Sequence, residues 1–240
     1  MWTKEECRTF FSRILGLDLT DAELESTHTF LSANTATAMP RHGSPNAGLS
    51  PNILQLFIGV AVQRTGLQLD HARFKKVREE ILPAAHFAIL LRKLGYGDFL
   101  LVSSDMPNPD ISLVRLDPAT VGPSSTGLNA LPLEMMYAHP HALANAHGAS
   151  NAEKIANAIF DIKFSMRYLP QTILIVTLHS SISDADVETI ARMLPSGAEN
   201  PFHQVWLCFA RDNHVSTLAM IAPQHENHDL TVEDLRQYSY

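Results

Sequence analysis

Residues 172–179 read TILIVTLH, and this run decides the fold. Successive side chains of a β-strand point to opposite faces of its sheet, so a strand whose side chains are nearly all apolar presents apolar surface on both faces. Such a strand must be covered on both sides. The run therefore predicts a central strand with helices packed against both faces of the sheet.

Strand and helix patterns alternate on either side of this run. The β-prone segments are 98–104, 110–116 and 131–138 before it, and 203–210 and 215–222 after it. A helix is predicted over 151–169, where Ile155, Ile159, Ile162 and Met166 form one apolar stripe, and another runs from Ser183 or Asp184 to Leu194. This alternation predicts an α/β protein with a central mixed β-sheet flanked by helices.

The first third of the chain reads as helices. The predicted starts are Met1, Thr20 or Asp21, Ser50–Pro51 and Asp70, and Pro83 is expected to kink or divide the last of these helices. Residues 33–48 are rich in Pro, Gly and Asn and predict a loop. The predicted organisation is a helical N-terminal region (1–69), an α/β core (70–222) and a polar C-terminal tail (223–240).

Composition narrows the class of protein. With 240 residues and 45% hydrophobic content, the chain can build a sizeable core. No apolar run approaches the roughly 20 residues that span a bilayer, so no membrane partner is expected. Cys7 and Cys208 are the only cysteines, which favours a reducing compartment and a cytoplasmic protein. The net charge of −7 argues against a broadly basic surface for nucleic acids, although it allows a local basic cleft.

Two acids stand out in the strand-rich part of the chain. Asp110 follows Asn108–Pro109 at the start of one predicted strand, and Glu134 lies within LPLEMMYA in the next. Antiparallel pairing of these strands would bring both carboxylates together. The alternative for Asp110 is ordinary turn chemistry, and the alternative for Glu134 is an edge strand with one solvated face.

This segment resembles the PD-(D/E)XK nuclease superfamily, which includes many type II restriction endonucleases. The resemblance covers roughly residues 70–210, and it implies a core of one helix, three strands, a helix and a strand. It also implies that Asp110 and Glu134 bind Mg²⁺ or Mn²⁺, which activates water and neutralises charge on the scissile phosphate. The implied partner is nucleic acid, most simply DNA, and a homodimer would suit an enzyme that cuts two strands.

The chain departs from that family at Met136, where the motif has a lysine. In viral cap-snatching endonucleases, which look similar, a lysine from the following helix takes this place. We expect Lys154 to be this catalytic residue, in preference to Lys163, because Lys154 lies in the first turn of its helix. Lys163 is then assigned to substrate binding. The same resemblance implies an upstream acid, Glu79 or Glu80, with Glu80 as the third metal ligand, and an N-terminal histidine, for which His28 is the match.

Histidines cluster in AHPHALANAH, which holds His139, His141 and His147. Two histidines two residues apart can converge on a metal. The proline between them and the polar residues that follow favour a flexible surface segment instead. Within the nuclease interpretation, His139 would contact a substrate phosphate.

Three functions are therefore carried forward. The first is a metal-dependent DNA nuclease of the restriction or defence type. The second is a catalytically inactive, nuclease-like interaction protein, which Met136 favours. The third is a metalloenzyme centred on His139 and His141.

Overall fold

The computed structural model describes residues 3–34, 50–103, 109–116, 130–211 and 215–237. Within these ranges the α-helices are α1 (Lys4–Thr9), α2 (Asp21–Asn34), α3 (Pro51–Thr65), α4 (Leu82–Lys93), α5 (Pro140–Asn145), α6 (Asn151–Lys163), α7 (Asp184–Met193) and α8 (Val232–Gln237). The strands are β1 (Asp98–Ser103), β2 (Ile111–Leu116), β3 (Ala130–Ala138), β4 (Ile173–Leu178), β5 (Gln204–Ala210), β6 (Val215–Ala222) and β7 (Glu226–Thr231).

The strands form one mixed sheet in which their spatial order is their order along the chain. β1, β2 and β3 pair antiparallel, β3, β4 and β5 pair parallel, and β5, β6 and β7 pair antiparallel. Parallel neighbours need a crossover connection, which α5 and α6 supply between β3 and β4, and α7 between β4 and β5. The predicted α/β class with a mixed sheet and flanking helices is confirmed. The more specific restriction-endonuclease-like arrangement stays a prediction.

β4 occupies the centre of the sheet, as its apolar sequence predicts. Ile173 and Ile175 belong to one apolar cluster, which includes residues of α1 to α4. Leu174, Val176 and Leu178 belong to a second cluster, which includes residues of α6 and α7. The two clusters lie on opposite faces of the sheet because side chains alternate along the strand. The N-terminal helices therefore cover one face, and the crossover helices cover the other.

Several helix boundaries follow from local sequence signals. α2 begins after Thr20, whose side chain accepts the backbone N–H of Glu23 while the Glu23 carboxylate accepts that of Thr20. α3 begins at Pro51 and ends before Gly66, which has a positive φ of 67°. The apolar residues predicted as core in α3 and α4 are buried: Phe57, Val60, Ala61, Phe87, Leu90 and Leu91. The predicted loop beyond Asn34 lies outside the described residues up to position 49.

The helix predicted from Asp70 is divided, as Pro83 suggested. A π-helical turn over Val77–Ile81 precedes α4, and Pro83 lies in the first turn of α4. π-helical turns are rare in proteins, and many of those that occur lie at functional sites.

Three elements differ from the sequence predictions. α6 ends at Lys163 instead of near 169, so Ile162 and Met166, predicted as part of its buried stripe, are exposed. The histidine segment forms α5, with His139 as its N-cap and Pro140 in its first turn, rather than a flexible loop. The predicted polar tail supplies a strand, β7, and the short helix α8.

No helix among the described residues is both long enough and apolar enough to cross a membrane.

Candidate functional site

The sheet brings Asp110 and Glu134 together. β2 and β3 pair antiparallel with Ile111 opposite Leu133, and continuing this register by one residue places Asp110 opposite Glu134. Asp110 lies just before β2, and its Oδ2 accepts the backbone N–H of Met135 at 2.8 Å. Opposite residues of an antiparallel pair have their Cβ atoms about 4.5–5.5 Å apart on the same face. The predicted meeting of these two carboxylates is therefore supported by the register.

Glu134 is buried in the interior of β3. Its side chain is 4% exposed, and its Oε1 lies 2.6 Å from Nζ of Lys163, whose side chain is 12% exposed. Burial raises the pKa of Glu134 and the charge of Asp110 raises it further, while the hydrogen bond from Lys163 opposes both effects. The net direction is upward. The protein thus holds a carboxylate in apolar surroundings with a cation in direct contact.

Glu80 lies close enough to Asp110 and Glu134 for their charges to raise its pKa. It belongs to the π-helical turn before α4, and burial is the largest cause of its raised pKa, followed by the charge of Asp110. Glu79 and Glu134 raise that pKa further, whereas Lys76 lowers it. The three acids that the sequence singled out thus share one electrostatic neighbourhood. Within the described part of the chain, however, no three His, Cys, Asp or Glu side chains are close enough to form a metal-binding group.

Tyr168 is a neighbour of this acid pair that the sequence analysis missed. Burial raises its pKa to about 12, and the charges of Glu134 and Asp110 contribute to the rise. Its hydroxyl is buried and has no hydrogen-bond partner among the residues that the structure describes. No motif marks this residue, because the segment after α6 was predicted as a continuation of the helix.

The lysine in contact with Glu134 is Lys163, not Lys154, so the sequence-based preference is wrong in its geometry. A helix that connects two parallel strands runs back antiparallel to them. The first turn of α6, with Lys154, therefore lies at the carboxyl end of β3, and its last turn, with Lys163, returns alongside Glu134. The two lysines are nine residues apart, which corresponds to about 13 Å along the helix. Lys154 instead lines a cavity together with Ala138 and His179.

Met136 occupies the motif position as an apolar core residue. It lies on the same face of β3 as Glu134 and belongs to the cluster that includes residues of α6. It is 5% exposed. A lysine at this position would be buried against α6. The cation beside Glu134 comes from α6 itself, as Lys163.

The predicted histidines have local roles. The Nδ1 of His139 accepts the backbone N–H of His141 at 3.1 Å, which caps α5, and the two rings stack at 5.0 Å between centroids. This helix-capping bond occupies one ring nitrogen of the pair proposed to bind a metal. His28 lies on α2, where its Nε2 is 3.4 Å from the hydroxyl of Ser32. The carbonyl of His147 accepts a hydrogen bond from Asn157.

The basic run over residues 73–78 ties the N-terminal helices to the rest of the molecule. Arg73 forms a salt bridge with Glu23, and its hydrogen bond is the largest cause that lowers the pKa of Glu23 to about 2. Lys76 donates to the carbonyl of Arg13, and Arg78 donates to the carbonyls of two residues in the preceding turn. These contacts give the run a structural role.

No known family model, curated protein or solved structure matches this chain. The roles assigned to its residues therefore rest on the geometry described above.

Removing the cation from the buried pair should destabilise the fold. Lys163→Met removes the cation that contacts the buried Glu134, and we expect the free energy of unfolding at neutral pH to fall by about 3–5 kcal/mol. The double variant Glu134→Gln/Lys163→Met should lose less, because no buried charge remains. Urea denaturation of the two single variants and the double variant measures this coupling.

The exposed pair between Lys4 and Glu25 offers a matched control, since both of its side chains are more than half exposed. Lys4→Met should cost no more than about 1 kcal/mol. Equal losses for Lys4→Met and Lys163→Met would contradict the account of the buried pair.

Glu80 should make stability depend on pH. Because its folded pKa is raised, the protonated form is favoured in the folded state, and that stabilisation is lost as pH rises through the folded pKa. Glu80→Gln mimics the protonated form. Its melting temperature should match that of the wild type near pH 4 and exceed it at pH 8. The exposed Glu188 supplies the control, and a pH-dependent gain of the same size in Glu188→Gln would refute this assignment.

Proposed function

We propose that this protein is a divalent-metal-dependent nuclease that hydrolyses phosphodiester bonds of DNA. The observation that carries the proposal is the buried constellation of Asp110, Glu134 and Lys163, in which two acids from adjacent antiparallel strands meet and a lysine amine lies 2.6 Å from one of them. Paired acids with a neighbouring lysine are the chemistry that metal-dependent phosphodiester cleavage requires.

The acids present fit Mg²⁺ or Mn²⁺. Both ions prefer carboxylate oxygens, and Mg²⁺ is commonly held by one or two carboxylates together with water and substrate phosphate. Asp110 and Glu134 would supply these ligands, with Glu80 as the acid beside them. The pKa values of Glu134 and Glu80 are both raised in part by neighbouring carboxylates, and a cation at this position would relieve that repulsion. When bound, such an ion would lower the pKa of a water molecule and neutralise charge on the phosphate.

The remaining residues would position the substrate. Lys163 supplies an amine beside Glu134, which can hold a phosphate oxygen or orient the attacking water. Lys163 would take the place of the motif lysine, whose position in this chain is occupied by Met136. The hydroxyl of Tyr168 stays protonated at neutral pH, since its pKa is raised to about 12, and it can donate a hydrogen bond to a phosphate oxygen.

The order of α4, the first three strands, α6 and β4 supports the nuclease interpretation at the level of chain order. It is the order that the resemblance implied: a helix, three strands, a helix and a strand. A restriction or defence role and a homodimer that cuts both strands are further parts of this proposal.

A second candidate function is a catalytically inactive, nuclease-like interaction protein. The closed contact between Glu134 and Lys163 favours it, because a buried ion pair can be a purely structural feature. The apolar Met136 at the motif position favours it as well.

Nuclease activity is tested directly with purified protein, plasmid and single-stranded DNA, and Mg²⁺ or Mn²⁺. We expect cleavage by the wild type, and a loss of at least about 100-fold in Glu134→Ala and Lys163→Met, because both residues would act on the reacting phosphate and water. Glu188→Ala, on the exposed face of α7, is the matched control and should cleave normally. Indistinguishable cleavage by wild type and Glu134→Ala would remove the proposal.

Metal binding separates the two candidates without measuring activity. At a Mn²⁺ concentration about 100 times its Kd, the free energy of unfolding should rise by about 2.7 kcal/mol. Asp110→Asn should abolish this rise, since the amide oxygen can still accept the Met135 N–H but the charge is gone. A melting temperature that does not respond to Mn²⁺ in the wild type would favour the inactive interaction protein.

A further inference from the structure

The cavity that Lys154 lines lies at the carboxyl ends of β3 and β4. Its volume is about 270 Å³, and its lining includes Ala138 and Leu178, the last residues of the two strands. The volume is just below the range of about 300–1,000 Å³ typical of small-molecule sites, so the cavity suits a small group and not a duplex.

The polar part of the lining is cationic or neutral. Lys154, Asn151, His179 and Ser180 contribute to it, and no Asp or Glu is among the described residues that line the cavity. Leu143 belongs to the apolar part of the lining, together with Ile155 and the two strand ends. A ligand with a negative charge on one side and an apolar or sugar-like portion on the other matches this division.

Lys154 is the only lysine or arginine among these lining residues. It is half-buried, and its Nζ has no hydrogen-bond or ion-pair partner among the residues that the structure describes. The lysine at the other end of α6, by contrast, contacts Glu134. A half-buried ammonium group with no partner is available to a ligand anion, and lysine is a common point charge for phosphate recognition.

The ring of His179 is oriented by Tyr137. Their Nδ1 and hydroxyl oxygen atoms are 2.8 Å apart. Burial raises the pKa of Tyr137, so its hydroxyl stays protonated and can donate to Nδ1. This contact holds the His179 ring beside Tyr137.

We propose that this cavity binds the monophosphorylated end of a nucleic-acid strand. The phosphate contacts Lys154 and Asn151, and the adjoining sugar packs against Leu143 and Ile155. This inference rests on the proposed nuclease function, which supplies the nucleic acid. It adds a binding site that the acid pair does not include.

The cavity is separate from the acid pair. Ala138 follows Glu134 by four residues on the same face of β3, which corresponds to about 13 Å. The buried Met136 and helix α6 lie between them.

Fluorescence anisotropy in EDTA, where no cleavage occurs, measures binding alone. The probes are one short single-stranded DNA with a 5′-phosphate, a 3′-phosphate or only hydroxyl ends, with a nucleoside monophosphate as competitor. We expect one of the phosphorylated ends to bind about tenfold more tightly than the hydroxyl form, because it adds charge-assisted hydrogen bonds. We also expect the free mononucleotide to compete much more weakly than the phosphorylated DNA.

Two variants and a control complete the test. Lys154→Gln should remove the phosphate preference at an unchanged melting temperature, and Ala144→Glu should do the same by placing a carboxylate in the cavity wall. Lys75→Gln, an exposed lysine outside the cavity, should retain the preference. Equal affinity for all three ends, or a mononucleotide that binds as tightly as the DNA, would overturn the proposal. A retained preference without cleavage in Mg²⁺ would instead overturn only the nuclease function.

Discussion

The structure depends on the need to cover β4 on both faces. A strand with Ile173 and Ile175 on one side and Leu174 and Val176 on the other cannot face water on either side, because each buried aliphatic side chain contributes roughly 1.5–3 kcal/mol relative to exposure. Parallel pairing with β3 and β5 satisfies this requirement, since the crossover connections place helices on one face. The N-terminal helices then close the other face. Both the cavity and the acid pair lie where these layers meet.

Against this apolar background, a carboxylate in the middle of β3 is an expensive feature. Desolvation penalises the charged form of Glu134, and the nearby Asp110 penalises it again. The fold compensates with the ammonium group of Lys163 at 2.6 Å. Hydrophobic residues of similar size would often be neutral or stabilising here, so a buried charged pair next to two further acids is not the arrangement that favours stability most.

Much of the architecture is readable from the sequence, because strand periodicity and helix caps are local signals. Thr20, Pro51 and the apolar run of β4 each fixed an element close to its observed place. β7 could not be found in this way, since five of its six residues are polar and only Leu230 is apolar. α5 was not predicted either, because a histidine cap followed by proline is a weak helix signal.

Part of the candidate site can likewise be predicted from local sequence, and part depends on contacts between segments that are distant in the chain. The meeting of Asp110 and Glu134 follows from pairing two consecutive strands, which the sequence suggested. The choice between Lys154 and Lys163 depends on the direction of α6 relative to β3, and a preference based on sequence proximity picked the wrong end of that helix. Tyr168 reaches the acids only because α6 stops at Lys163 and the chain turns. No local pattern encodes that turn.

The last strand, β7, also prevents other copies of the protein from pairing with the edge of β6. β6 is mostly buried and rich in apolar residues, and β7 lies between it and solvent. β7 itself carries Glu226 and Asp229, and charges of this kind on an edge strand discourage edge-to-edge pairing between copies. A chain shortened before residue 226 would expose the backbone hydrogen-bonding groups of β6 along a flat apolar edge. Such a fragment would tend to aggregate through strand addition.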